Sequence, residues 1–194
     1  MLFDVDHELL AAVVGEDNVH LLPAETAARY GFTGEAVEFL AEVGLPDAEE
    51  FELSFALPVE FDADLVWDRA SREERGWQFP DGVEHVVPVG NFPVNAVTVD
   101  PVSGIVYQYT DATKSLIPVH RDLSSLAKTM ASFLGYIQAY ARVDGEDDDA
   151  EYARRKREVG ALMDEIQSVD PLPFAHEYSE WVEMFDNLEG GIYT

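Results

Sequence analysis

Residues 117–127 read IPVHRDLSSLA, and His120-Arg121-Asp122-Leu123 carries the letters of a protein-kinase catalytic loop. In that loop the Asp takes the proton of a substrate hydroxyl while an Asn five residues later holds magnesium, so both residues are needed at that spacing. Position 127 is Ala. The chain also lacks a Gly-rich phosphate loop, a strand Lys upstream of the tetrapeptide and an Asp-Phe-Gly metal ligand downstream. Leu123, Leu126, Met130, Phe133, Leu134, Ile137 and Ala141 instead recur at three- and four-residue intervals, one buried face of a helix. Asp122 or Ser124 stands where an N-cap belongs. The tetrapeptide therefore reads as a strand-to-helix junction.

Other catalytic patterns are missing. There is no Gly-x-Ser-x-Gly nucleophile turn, no Gly-x-x-x-x-Gly-Lys phosphate cradle, no Gly-x-Gly-x-x-Gly dinucleotide loop and no His-Glu-x-x-His zinc pair. His7, His20, His85, His120 and His176 occur singly, whereas zinc needs three or four converging donors. With no cysteine, disulfides, thiolate metal sites and a Cys nucleophile are all ruled out. The run DGEDDDAE lacks the alternating ligands and sixth-position Gly of an EF-hand loop, and reads as an acidic linker near residues 143–151. Among 39 acidic side chains no catalytic pair singles itself out. The expectation is a protein without cofactor or metal that is not an enzyme.

Charge is the strongest compositional signal. The 39 acids face 12 Lys and Arg, a formal net charge of −27. Such a surface repels nucleic-acid phosphates and anionic lipid head groups, and speeds encounter with a basic protein. It also serves solubility. The chain has no apolar run of the roughly 18 residues that read as a membrane span, and its start, MLFDVDHELLAA, lacks the basic segment of a secretion signal. A cytoplasmic location is expected. The size, 194 residues at 47% hydrophobic composition, suits one domain spanning 1–194, with a C-terminal helical extension over 152–194.

The segment from Asp62 to Gly82 mixes Trp67, Trp77 and Phe79 with Asp62, Asp64, Asp68, Glu73 and Glu74. Aromatic anchors ringed by charge suit a protein-binding surface, and Trp rings folded back onto a sheet would give the same composition. Tyr107 and Tyr109, two apart, share one face of a strand, where they would line a groove or cover the core.

These residues need elements to position them. Asp6 caps a short helix that stops at Gly15, and NVHLLP follows as a strand. A helix from Thr33 ends at Gly44-Leu45-Pro46. Phe51, Leu53, Phe55 and Leu57 alternate, predicting a half-buried strand, and residues 62–82 form a long connection with one strand near Trp77–Phe79. VVPVG, NAVTVD, GIVYQYT and IPVH are strands of an antiparallel meander, with a turn at PVSG. A long helix covers Leu123 to Arg142, a second follows the acidic linker and ends at Pro171, and a third carries Tyr178, Trp181, Val182 and Phe185. In the second helix Arg154 to Arg157 oppose the helix dipole, so neighbouring acids must compensate them.

In this order of elements, FLAEVGLPD, VDPVSGIVYQYTD, DLSSLAKTMASFLGYIQAY and DPLPFAHEYSEWVEMFDNLEGGIYT resemble the SUKH superfamily, and within it the fourth group of SUKH immunity proteins. The resemblance spans nearly the whole chain. It implies one α+β domain with a curved antiparallel β-sheet packed against several helices. It also implies a toxin-binding partner role, since many members are encoded beside polymorphic toxins of nuclease or deaminase class. Some relatives act instead as protein-interaction adaptors. Where the family often carries an Asn-Ser-Ser-Leu step, this chain has RDLSSL, with Asp122 in place of the Asn. A basic toxin domain is thus the expected partner, and the acids and aromatics between Asp62 and Phe79, with Tyr107 and Tyr109, its expected contact.

Overall fold

The computed structural model describes residues 1–194, the whole chain. Eight strands and seven α-helices follow in the order α1 (His7–Val14), β1 (Val19–His20), α2 (Ala24–Arg29), α3 (Glu35–Glu38), β2 (Leu45–Pro46), β3 (Ser54–Phe55), β4 (Trp67–Asp68), α4 (Arg69–Glu73), β5 (His85–Asn91), β6 (Ala96–Val99), β7 (Val106–Thr110), β8 (Ser115–His120), α5 (Leu123–Ala139), α6 (Asp148–Val169) and α7 (Glu180–Gly190). The main sheet runs β3-β5-β6-β7-β8, with β4 also paired to β5, and β1 and β2 make a separate two-stranded ribbon. All of these strand pairs are antiparallel. The fold is α+β.

One face of the sheet packs on the helices. Val87, Val89, Val97, Val99, Val106, Ile117 and Val119 meet Leu126, Met130 and Phe133 of α5 and Trp181 and Phe185 of α7 in one cluster of 35 buried residues. The opposite face carries a smaller cluster of Phe79, Val83, Val86, Tyr107 and Leu116. This division follows from the alternation of side chains along each strand. Two bulges modify it, at Pro88/Gly90 in β5 and opposite Val106/Tyr107 in β8. At the first, β3 crosses so close that a Cβ on Gly90 would lie 2.0 Å from the Ser54 carbonyl oxygen. Only glycine fits there.

Several local expectations hold. Asp6 caps α1, accepting from the Leu9 amide at 2.8 Å. Gly44, at φ 89°, ends the helical segment begun by α3, whose last turn, Phe39–Val43, is a π-helix closed by the Gly44 amide on the Phe39 carbonyl. Three of the four bases in the Arg154–Arg157 run are compensated: Arg154 pairs with Glu146 and Glu158, Arg155 with Glu151 and Lys156 with Glu189, while Arg157 is exposed without an ion-pair partner.

Other expectations need correcting. Of the 51–57 strand only Ser54 and Phe55 pair, because Glu49–Phe51 forms a 3₁₀ turn and Glu52 takes a left-handed conformation, φ 57°. Leu53, Phe55 and Leu57 still point into the core, so the alternation reported burial over a longer stretch than joins the sheet. Helix α2 lay unseen between two apparent loops; its six residues are too few for a periodic signal. The 62–82 connection contains β4 and α4, and near Trp77–Phe79 only one parallel bridge forms, Gln78 with Ser115. Helix α5 ends at Ala139, short of Arg142, and the third long helix starts at Glu180 after a 3₁₀ turn at Leu172–Phe174. The acidic stretch near 143–151 already contains the start of α6: Asp147 caps it, accepting from the Ala150 amide at 2.8 Å.

Candidate functional site

In the tetrapeptide at 120–123 the side chains of His120 and Asp122 and the Arg121 amide are all held in structural hydrogen bonds. Asp122 is the N-cap of α5, its Oδ1 accepting from the Ser125 amide at 2.9 Å and from the Ser124 hydroxyl at 2.7 Å. Its Oδ2 accepts from the Leu2 amide at 2.7 Å. The Arg121 amide donates to the fully buried Asp170 at 2.8 Å. His120 is also fully buried; Trp181 Nε1 donates to its Nε2 at 2.7 Å, and its Nδ1 meets the Ser125 hydroxyl at 3.0 Å. A Trp N–H only donates, so Nε2 is the unprotonated nitrogen and Nδ1 carries the proton. Burial pushes this imidazole down to about 3, which keeps it neutral. None of these groups is free for phosphoryl transfer.

The 62–83 segment lies over the second face of the sheet. Its entry is tied to α2: the Thr26 hydroxyl donates to the Val59 carbonyl at 2.8 Å, and the Asp62 amide donates to the Tyr30 hydroxyl at 3.0 Å. Phe61 packs on Tyr30 at 4.8 Å, with the Arg29 guanidinium 4.5 Å above its ring. Trp77 then stacks on Tyr109, centroids 3.3 Å apart and 16° from parallel, while Trp67 meets the same Tyr109 edge-on at 4.8 Å. Arg72, from α4, sits 3.8 Å over the Trp67 ring and donates to the Tyr109 hydroxyl at 3.1 Å. This guanidinium, absent from the expected site, fixes the aromatic group by cation–π contact and hydrogen bond together. Arg72 follows Trp67 by five residues, within the short helix that Asp68 caps.

The aromatics therefore divide. Phe79 and Tyr107 are buried in the small cluster and Trp77 is buried against Tyr109 beside it, so none of the three projects as an anchor: the uncovered face of the sheet is apolar and they are the nearest groups able to cover it. Trp67 and Tyr109 are half-buried and keep an exposed edge. Burial raises both Tyr107 and Tyr109 above the ordinary phenol range; for Tyr109, Arg72 opposes the shift. Beside the segment a groove of about 460 Å³ remains open, lined by Phe79, Ile105, Tyr107, Leu116, Pro118 and Leu172.

All five acids are exposed. Asp68 caps α4, accepting from the Ser71 hydroxyl at 2.7 Å and its amide at 2.9 Å, and these bonds hold its carboxyl below the usual range. Asp62 accepts from the Asp64 amide at 2.9 Å, and Glu73 pairs with Arg69 at 2.8 Å. The Asp64 and Glu74 carboxylates have no protein partner. The result is a rigid aromatic and guanidinium platform with an acidic rim and an apolar groove. No three His, Asp or Glu side chains converge in a way that could hold a metal ion. No helix is long and apolar enough to cross a membrane.

No curated protein and no solved structure matches this chain. The model of one family, described as SUKH-4 immunity protein, matches residues 5–187, which takes in every strand and all but the last turn of α7. The α+β fold agrees with this near-complete match, and the chain belongs to the SUKH-4 immunity protein family.

Proposed function

We propose that this chain neutralises a basic polymorphic-toxin domain of nuclease or deaminase class, in the cytoplasm of the producing cell, by binding it and not by catalysis. Family membership supports an immunity-type role with a toxin partner. The observation that carries the finer reading is the acidic rim on the 62–83 segment: exposed Asp62, Asp64, Asp68, Glu73 and Glu74 around Trp67 and Tyr109. A nucleic-acid-processing domain presents a basic cleft to its substrate phosphates. An acidic protein held in a fixed shape occupies such a cleft, with an on-rate that falls as salt rises. Direct nucleic-acid and membrane binding conflict with the net charge of −27.

The test is co-expression with nuclease and deaminase toxin domains from the same genome, with growth rescue and the Kd of each purified pair as readouts. Rescue, with a Kd that weakens from low to high salt, is the expected result. A set of toxic domains of which none is rescued or bound at low salt would sink the reading.

A further inference from the structure

The 62–83 segment leaves part of the second sheet face open, and two hollows lie there side by side. Ile105 and Tyr107 line both. One is the apolar groove of about 460 Å³ beside Phe79, Leu116 and Pro118. The other, of about 410 Å³, carries Asp81, Glu84, His85 and Asp100 on its walls.

Tyr107, the wall they share, is 4% exposed, yet no hydrogen bond within the protein reaches its hydroxyl. That oxygen is not sealed: Asp47 Oδ1 is the one side-chain atom of the chain buried without a partner. A phenol so deeply held, with its polar tip unpaired and open to a concavity, is the kind of isolated polar group that orients a ligand in an apolar site.

The neighbouring edge of β8 sets what form the ligand takes. The Gln78 amide donates to the Lys114 carbonyl at 2.8 Å and the Leu116 amide to the Gln78 carbonyl at 3.4 Å, the start of a parallel ladder. The next amide in it would be that of Pro80, which has no N–H, so the outward-facing Leu116 carbonyl lacks the donor that would continue the ladder. Pro118 likewise offers no N–H on this edge. A partner strand added here would find no donors beyond Leu116, so an incoming segment is held by its side chains and by single polar contacts.

Charge selects the partner. Asp81 and Glu84 are exposed and make no ion pair; Arg69, close enough to feel both, is held by Glu73 and by the Pro80 and Val83 carbonyls. Asp100 adds its charge while bonded to the Val102 amide and the Ser103 hydroxyl. A second copy of this chain, at a net charge of −27, is repelled from such a site.

We infer that the paired hollows receive an extended segment of a basic protein partner, with an apolar side chain in the groove, a Lys or Arg two residues away against Asp81 and Glu84, and the Tyr107 hydroxyl donating to the segment's backbone between them. Side chains two apart on an extended chain point the same way, as two hollows sharing a wall require. That the partner is a toxin domain rests on the immunity reading above. The chemistry of the hollows does not.

The experiment therefore has two arms. In the first, acetyl-Ala-Leu-Ala-Lys-Ala-amide is titrated into the ¹⁵N-labelled protein, beside control peptides with the Leu replaced by Ala or the Lys by Gln. Saturable shifts at Gln78, Phe79, Ile105 and Leu116 and at Gly82–Glu84, weakened at least threefold by either peptide change and by Tyr107→Phe, support the site. That variant removes only a hydroxyl that bonds nothing in the protein. Shifts that do not saturate, that spread over the acidic surface, or that ignore the Leu change or Tyr107→Phe overturn it. In the second arm a toxin domain is the probe, with Ile105→Glu and Asp81→Lys/Glu84→Lys each checked for folding by circular dichroism. A tenfold or greater loss of affinity is expected for each; the Lys pair, at exposed positions, decides alone if Ile105→Glu does not fold. Binding within twofold of the unsubstituted protein would remove the hollows and leave the immunity function standing. Toxin domains that never bind would remove that function and leave the peptide arm to decide the hollows.

Discussion

Trp181 Nε1, on α7, donates to His120 Nε2, at the end of β8, across 61 residues of sequence and 2.7 Å of space. The contact depends on the bulge in β8. Strict alternation would place His120 beside Leu116 and Pro118 on the second face of the sheet; the extra residue, Val119, turns the imidazole toward the helices. Ser125 of α5 completes the bridge, so β8, α5 and α7 share one polar junction inside an aromatic environment of Phe92, Phe133 and Phe185.

That junction makes stability depend on pH in a defined direction. The folded-state pKa of His120 is lowered from 6.5 to about 3 by burial, so the unfolded chain takes up its proton first. The stability from the neutral ring is fully present above pH 6.5 and is lost as pH falls toward 3. We expect the His120 ring nitrogens to show no titration in the folded protein down to pH 4.5, followed by NMR. A folded-state titration midpoint near 6.5 would contradict this junction. Trp181→Phe leaves Nε2 unsatisfied and should cost about 1–3 kcal/mol in urea unfolding at pH 7.

The cap on α5 predicts a stability loss with no catalytic signature. Asp122→Ala removes the acceptor for the Ser125 amide and the Leu2 amide together, and should lower unfolding free energy by about 1–2 kcal/mol. Asp122→Asn, which keeps a side-chain oxygen, should recover at least half of that. If the two variants are equally destabilised, capping is not the role of Asp122.

The two Trp residues of the 62–83 segment should separate on truncation. Trp77 is buried and stacked, so Trp77→Ala should cost about 3–5 kcal/mol, and a binding defect in that variant would report folding. Trp67 is half-buried under Arg72, and Trp67→Ala should cost well under half as much. Thermal unfolding of the pair checks the order. Equal losses would mean that Trp67 supports the fold as much as the buried Trp77.

Much of the scaffold is legible along the chain because it depends on near neighbours. Asp6 and Asp122 announce their helices by standing before apolar residues at helical spacing, and the strands from His85 to His120 alternate between clear turns. The limits are equally physical. Helix α2 has no periodicity to display in six residues, yet it anchors Val59 and Asp62 and so positions the whole candidate platform. At 51–57 the alternation is real, but a turn at Glu52 withholds most of the backbone from the sheet. In the candidate site the acids are exposed as their composition implied, while Trp77, Phe79 and Tyr107 are drawn onto the sheet and Arg72 clamps Trp67 to Tyr109 through contacts that no local pattern announces.

By itself, the sequence determined the charge of this protein, the periods of its longer elements, the caps that start them and, through its pattern over almost the full length, its family. Those are sums over composition or interactions within a few residues. Only the tertiary structure decided which aromatics face water and that His120 stays neutral against Trp181. Burial and polar pairing are set by groups as distant as Leu2 and Asp122, 120 residues apart. Chain order alone does not fix which of those distant groups will meet.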